Sequence, residues 1–346
     1  MKRTEPDVSF LSEEHIFPAA IGGIQKLPLN YVSHDCNNYF SSMELTFMRN
    51  SLIAISRQFH GPGKRGNLNP KNATKSNVSL MARVDDPNSI SLGYISLGQP
   101  FNISQIKINK LGTCTFKADS SLGDGSKLLV DFMKSLEGFN GKYILHEDER
   151  ISENEFILGY QDGKWYVALS NKEFENKLNS CVEALLLQKP LSNKIPEYSK
   201  SLTSVMQTLK FDDTYFRVCA KIIFNYLAFS KGQDFVLNSC FDPLRDWIVN
   251  GGENKFAVLI GKEFILPFPI PDLSHKFYII QDGKSLRSII SFYGDSFATQ
   301  VDLCENFEGS FEIDGFICDW KERKEYTWGE FILKLVYEHN LGIEKF

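Results

Sequence analysis

Between residues 12 and 40 the sequence sets an acid beside a histidine, Glu14-His15. It follows them with Pro18, Gly22-Gly23, Asn30 and Cys36-Asn37-Asn38. Hydrolysis of a phosphodiester calls for groups of this kind. It needs an imidazole to take a proton from water, hard oxygen donors for a divalent cation, and a neighbour that fixes the imidazole. Adjacent residues of an extended segment point to opposite faces, so Glu14 can serve a metal while His15 serves the water.

Several elements must position these groups. An extended segment ends at Glu14-His15, and Pro18 and Gly22-Gly23 then turn the chain. Residues 30–32, Asn-Tyr-Val, read as a second short strand. Cys36-Asn37-Asn38 opens a helix, since asparagine is a good N-terminal cap. Apolar residues at Phe40, Met43, Phe47, Met48, Leu52, Ile55 and Phe59 recur at helical spacing and carry that helix to residue 60. A unit this small has too little interior to fold alone, so its apolar stripe is expected to pack on the rest of the chain.

Glu14-His15-Ile16-Phe17-Pro18, Gly22-Gly23, Asn30 and Cys36-Asn37 together resemble the HNH endonuclease family with its ββα-metal motif. The resemblance spans roughly 45 residues. It implies that Glu14 is the first metal ligand, His15 the general base, Asn30 the residue that orients His15, and Asn37 the second metal ligand. It also implies Mg²⁺ or Mn²⁺ as cofactor, DNA as substrate with RNA as the other candidate, and a setting in bacterial restriction or phage defence. Many relatives carry two Cys-x-x-Cys pairs for a structural zinc. Here residues 1–13 contain no cysteine, and Ser33 stands where the partner of Cys36 belongs. One cysteine with His34 does not make a four-ligand site, so no structural zinc is expected. The alternative is a catalytically decayed HNH element acting as a nucleic-acid- or ligand-binding module.

The chain has 346 residues and a net charge of −5. Residues 1–75 hold nine Lys/Arg and six Asp/Glu, net +3, which leaves −8 for the rest. The stretch friendliest to a polyanion is therefore the one with the motif. Arg49, Arg57, Lys64 and Arg65 are the candidate phosphate contacts. Lys64 and Arg65 lie in the turn-rich segment His60-Gly-Pro-Gly-Lys-Arg-Gly. The seven cysteines (36, 114, 181, 219, 240, 304, 318) form no Cys-x-x-Cys pair and fit reduced thiols in a cytoplasmic protein. No secretory signal and no run of about 18 apolar residues is found, so no membrane span is expected. Double-strand cutting by a one-metal site favours a homodimer.

The sequence predicts an α+β fold. A small N-terminal ββα-metal motif (1–62) precedes a β-rich region (63–175), a helical region (176–252), and an antiparallel β region with a closing helix (253–346). Strands are expected over 79–84, 90–95, 103–108, 156–160 and 164–169, with a helix over 125–138. The acidic residues 146–150 are expected in a solvated loop. Helices are expected over 172–188, 198–209, 215–231 and 241–250. Gly232 stops the third of these, whose stripe includes Phe216, Cys219, Ile222, Ile223, Tyr226 and Phe229. Lys221 to Gly252 weakly resembles a segment that follows the motif in some larger HNH proteins. Strands are expected again over 256–260, 277–280, 286–293 and 297–303, with a hairpin turn at Gln281-Asp282-Gly283 and a helix over 328–339.

Overall fold

The computed structural model describes residues 6–109, 113–153, 155–172, 175, 178–187, 202–261, 269–294 and 298–340. The fold is α+β, with antiparallel and mixed sheets. The chain divides into two compact units: Met1–Thr74 joined with Leu209–Phe346, and Lys75–Thr208. The sequence marks regions at 62, 175 and 252, with 63–346 as one possible domain. In the structure the N-terminal motif shares a unit with residues 209–346, in whose core its apolar stripe lies.

In the first unit, α1 (His34–Asn50) and α2 (Ile53–His60) come early in the chain. The sequence suggests one helix to residue 60, but the helix breaks at Ser51. There the backbone turns extended, and the Ser51 hydroxyl donates back to the Phe47 carbonyl at 2.5 Å. The break rotates the apolar stripe. Phe40, Met43, Phe47 and Met48 are buried as expected, whereas Ile55 and Phe59 are exposed. Ile53, Ala54, Arg57 and Gln58 face inward in their place.

The second unit holds β1 (Ser79–Arg83), β2 (Ile90–Ser96), β3 (Gln99–Asn102), β4 (Ser104–Ile108), β5 (Cys114–Lys117), α3 (Gly125–Leu136), β6 (Tyr143–Glu147), β7 (Phe156–Gln161), β8 (Lys164–Leu169), α4 (Leu178–Leu187) and β9 (Thr203–Val205). They form a four-stranded sheet, β3-β2-β1-β9, and a five-stranded sheet, β5-β4-β7-β8-β6. One face of the larger sheet meets the smaller one through Leu80, Leu92, Ile157 and Ala168. Its other face packs α3 and α4 through Phe132, Leu136, Trp165 and Val182. Two expectations are corrected here. Residues 146–147 end strand β6, which runs parallel to β8, and are not loop. Residues 203–205 pair with β1 as a strand and are not helical; residues 198–201 lie outside the described ones.

The first unit resumes with α5 (Asp213–Lys231), α6 (Gln233–Val236), α7 (Asp242–Asn250), β10 (Ala257–Gly261), β11 (His275–Asp282), β12 (Ser285–Ser291), β13 (Ala298–Cys304), β14 (Asp314–Asp319), β15 (Lys324–Thr327) and α8 (Trp328–Asn340). The strands form one antiparallel sheet, β10-β13-β12-β11-β14-β15. α5 is capped by Asp212 and closed by Gly232, and Tyr215, Cys219, Ile222, Ile223 and Tyr226 along it are fully buried. α5 packs between this sheet and α1, so one core runs from Phe47 through Tyr226 to Phe277 and Phe316. α8 covers a separate cluster with Ile317, Trp328 and Phe331.

Candidate active site at the N-terminal hairpin

Glu14 and His15 lie on a very short antiparallel hairpin. His15 bridges Lys26, Ile16 N donates to Gln25 O at 3.0 Å, and Leu27 N donates to Glu14 O at 2.7 Å. The second arm is thus residues 25–27 and not the expected 30–32. Pro28 lacks an N–H and cannot extend the ladder. Asn30 instead takes a left-handed turn conformation, φ 78°, which asparagine tolerates well. α1 also starts earlier than the sequence suggests. Its cap is Ser33, whose hydroxyl accepts from Cys36 N, so Cys36, Asn37 and Asn38 already lie inside the helix.

The tip of the hairpin is fixed by its fit to the sheet. Phe17 is fully buried and meets the rings of His275, Phe277, Phe292 and Phe316. Gly22 has φ 105°, and a Cβ there would sit 2.3 Å from Trp320 Cβ. A Cβ at Gly23 would sit 1.9 Å from the Phe17 carbonyl oxygen. The turn between them can therefore be built only with glycines. Polar groups hold the same turn. Arg57 Nε donates to Ala20 O at 3.2 Å. The ring of His275 is hydrogen-bonded through Nε2 to Ile21 O at 2.9 Å, and Glu325 Oε2 accepts from Ile24 N at 3.1 Å and Gln25 N at 2.5 Å. Asn225 Nδ2 on α5 donates to the His15 carbonyl at 3.0 Å.

Glu14 is buried, and one of its oxygens receives the Lys221 ammonium from α5. The same ammonium lies 2.6 Å from Glu44 Oε1, and its side chain is 4% exposed. Glu44 stands seven residues after Asn37 on α1, hence on the same helical face two turns on. The trio therefore carries two carboxylates and one ammonium. Burial, which Lys221 only partly offsets, raises the Glu14 carboxyl above its ordinary value. Burial also disfavours the Lys221 charge, but Glu44 and Glu14 outweigh it and hold the ammonium above its ordinary value. Among the described residues, nothing donates to Oε2 of Glu14 or of Glu44.

His15 is half-buried. Burial, and after it the Lys26 charge, lower its pKa, so the imidazole is neutral near pH 7; Glu44 and Lys221 act on it as well. That is the state in which an imidazole can accept a proton. Asn37 is half-buried and its Nδ2 donates to Ser12 Oγ at 2.9 Å, two residues before Glu14. Its amide oxygen takes no hydrogen bond from the described residues. Asn30 offers its carbonyl to Gln233 Nε2 at 3.1 Å, and no described hydrogen bond links it to the His15 ring. The Asn37–Ser12 bond ties the start of α1 to the segment just before Glu14 and His15, and Asn30 lies in the turn that follows the hairpin.

The candidate phosphate contacts separate. Arg49 and Arg65 are exposed, while the side chain of Lys64 lies outside the described residues. Arg57 is a correction: it is 6% exposed and spends its guanidinium on the hairpin turn, so it faces no solvent-borne phosphate. Among the described residues, no three His, Cys, Asp or Glu side chains converge as a metal cluster.

Sequence reasoning missed Lys221, Glu44, Asn225 and Glu325. Lys221 and Asn225 had a local signal, being polar residues on the inward stripe of α5 between Cys219 and Tyr226. Glu44 sits beside the buried Met43 on α1. Glu325 had none, because β15 is too short to read. A cavity of about 960 Å³ has Lys221 in its wall, and Asn30, Cys36, Phe40, Phe224 and Asn225 are among the other residues that line it. No helix of the described residues is long and apolar enough to cross a membrane. No family model, no curated protein and no solved structure matches the chain.

Proposed function

We propose that the protein is a divalent-metal-dependent endonuclease of the HNH kind, which hydrolyses DNA phosphodiester bonds in a restriction or phage-defence setting. One observation carries this reading: a short hairpin followed by a helix carries a neutral imidazole, His15, next in sequence to a buried carboxylate, Glu14, and Asn37 of that helix bonds to Ser12 two residues before Glu14. Glu14 Oε2 and Asn37 Oδ1 are hard oxygen donors of the type Mg²⁺ and Mn²⁺ prefer. One or two protein ligands suffice for such an ion when water and phosphate fill the remaining positions. Glu14 and Asn37 would hold it. When bound, it supplies positive charge to the phosphate and the leaving oxygen.

His15 takes the proton of the attacking water. The new bond forms between that water oxygen and phosphorus, the P–O3′ bond breaks, and the products carry a 3′-hydroxyl and a 5′-phosphate. Asn225 fixes His15 from behind through its carbonyl, which leaves the ring free for the water. Arg49 and Arg65 supply backbone contacts, and the larger remainder of the chain serves target recognition, sensing or assembly, including a homodimer for double-strand cutting.

The Lys221 ammonium on Glu14 favours a second reading, a binding module in which a lysine has replaced the metal. Plasmid DNA and a matched RNA incubated with Mg²⁺, Mn²⁺ or EDTA separate the two. The nuclease reading expects metal-dependent cutting that His15→Ala lowers at least about a hundredfold while the fold, read by circular dichroism, is kept. Unchanged cutting in that variant overturns the role of His15. No cutting of either nucleic acid by the wild type leaves the binding module.

A further inference from the structure

We propose that the 960 Å³ cavity of the first unit binds a small, uncharged aromatic molecule that donates a hydrogen bond to the Asn225 amide oxygen. The inference goes beyond the nuclease reading and does not rest on it.

Three observations carry it. First, the size and the lining fit such a ligand. Small-molecule sites span roughly 300–1,000 Å³ and are walled mainly by apolar and aromatic side chains. Here Phe10, Tyr31, Phe40 and Phe224 line the cavity from four separate segments, with Leu27 and Ile248 among the aliphatic residues. Second, the charges of the wall are already committed. Lys221 is held by Glu14 and Glu44, and Arg245 by Asp242 and by the Val236 carbonyl at 2.5 Å. Asp35 is exposed, so water screens it. A charged ligand would lose its own hydration and find no free counter-charge, which selects against it. Third, one buried polar group keeps an acceptor. Asn225 is 6% exposed, and its Nδ2 donates to the His15 carbonyl at 3.0 Å. That bond fixes which end of the amide is the oxygen, and among the described residues nothing donates to Oδ1. The cavity also touches the hairpin. Leu27 lines it, and its amide donates to Glu14 O at 2.7 Å. A ligand bound here therefore braces the second arm of the hairpin and, through Asn225, the His15 carbonyl.

The test titrates the full chain with N-phenyl-1-naphthylamine, an uncharged aromatic probe with a single N–H, and reads its fluorescence. Saturable binding at one site is expected, with Kd about 10 μM or tighter. Its N-methyl derivative, which lacks the donor, should bind at least about threefold more weakly, and anilinonaphthalene sulfonate, which adds a negative charge, at least about tenfold more weakly. Ala228→Phe fills the cavity from α5 and should weaken the amine at least about tenfold. Asn225→Leu removes the acceptor and should abolish the preference for the amine over its N-methyl derivative, which keeps the proposal testable if the first variant does not fold. In the wild type, the bound amine should slow hydrogen exchange at Leu27 at least about threefold. No saturable binding of the amine overturns the proposal, as does undiminished binding in a folded Ala228→Phe. Equal affinity for the amine and the sulfonate overturns the uncharged ligand, and equal affinity for the amine and its N-methyl derivative overturns the role of Asn225. A chain that refuses the amine and is a dimer that Ala228→Phe dissociates would have a second copy as the occupant, and the proposal falls. DNA cutting by the wild type is scored separately, so either reading can fail without the other.

Discussion

Replacing Glu325 by alanine tests whether the hairpin is held from the far end of the chain. Glu325 Oε2 accepts from two consecutive amides, Ile24 N at 3.1 Å and Gln25 N at 2.5 Å. Hydrogen bonds to a charged acceptor contribute about 1.5–3 kcal/mol each. Ile24 is exposed, so water takes its amide when the carboxylate is lost; the Gln25 amide is partly buried and costs more. The net loss expected is therefore about 2 kcal/mol, nearer one strong bond than two.

That loss appears locally. Hydrogen exchange at Ile24 and Gln25 should speed up roughly thirtyfold, since 1.4 kcal/mol is about a factor of ten. It should spread to Ile16 and Leu27, whose amides close the hairpin through Gln25 O and Glu14 O. Burial raises the Glu325 carboxyl above its ordinary value. Ionising it therefore costs stability as pH rises from its unfolded value through its folded one. Glu325→Gln avoids that cost and keeps an acceptor, so it should lose less than alanine at pH 7. Unchanged exchange at Ile24 and Gln25 in Glu325→Ala would show that the carboxylate does not hold the turn.

Two further outcomes follow from the same junction. Gly22→Ala forces a Cβ into Trp320 at a left-handed backbone position and should cost roughly 2–4 kcal/mol in urea unfolding; a loss under about 0.5 kcal/mol would mean the turn repacks freely. His275 is fully buried and its pKa is pushed down to about 3, by burial against the weaker effect of its bond to Ile21. The unfolded chain then binds a proton that the folded chain refuses between about pH 6.5 and 3. Stability should fall as pH drops through that window, by at most about 1.4 kcal/mol per unit from this group, and a slope unchanged in His275→Gln would rule the group out as a cause.

The sequence is most readable where the physics is local. α5 and α7 have an apolar stripe and a glycine stop, and they appear within two residues of expectation. β7 and β8 have Asp162-Gly163 between them and pair as a hairpin. Elements that exist only through distant partners are hidden. β9 is a strand because β1 offers it an edge, and β14, buried between β11 and β15, is a short run in a turn-rich text. The site divides in the same way. Glu14, His15 and Asn37 lie in one legible stretch, and Asn37 bonds to Ser12 just before the pair. The break at Ser51 turned Arg57 from the surface to the interior, and no local pattern announces that. Lys221 is 207 residues from Glu14, so only tertiary structure could pair them.

Because residues 75–208 interrupt the first unit, the order of synthesis runs against the order of assembly. The hairpin leaves the ribosome before the elements that hold it. Its ammonium arrives with Lys221, and the carboxylate that clasps its turn arrives only with Glu325. At about 5–20 residues per second, the Glu14–His15 pair waits something like 15–60 seconds for that clasp. A chain stopped before residue 325 carries Glu14 and His15 without the carboxylate that clasps their turn.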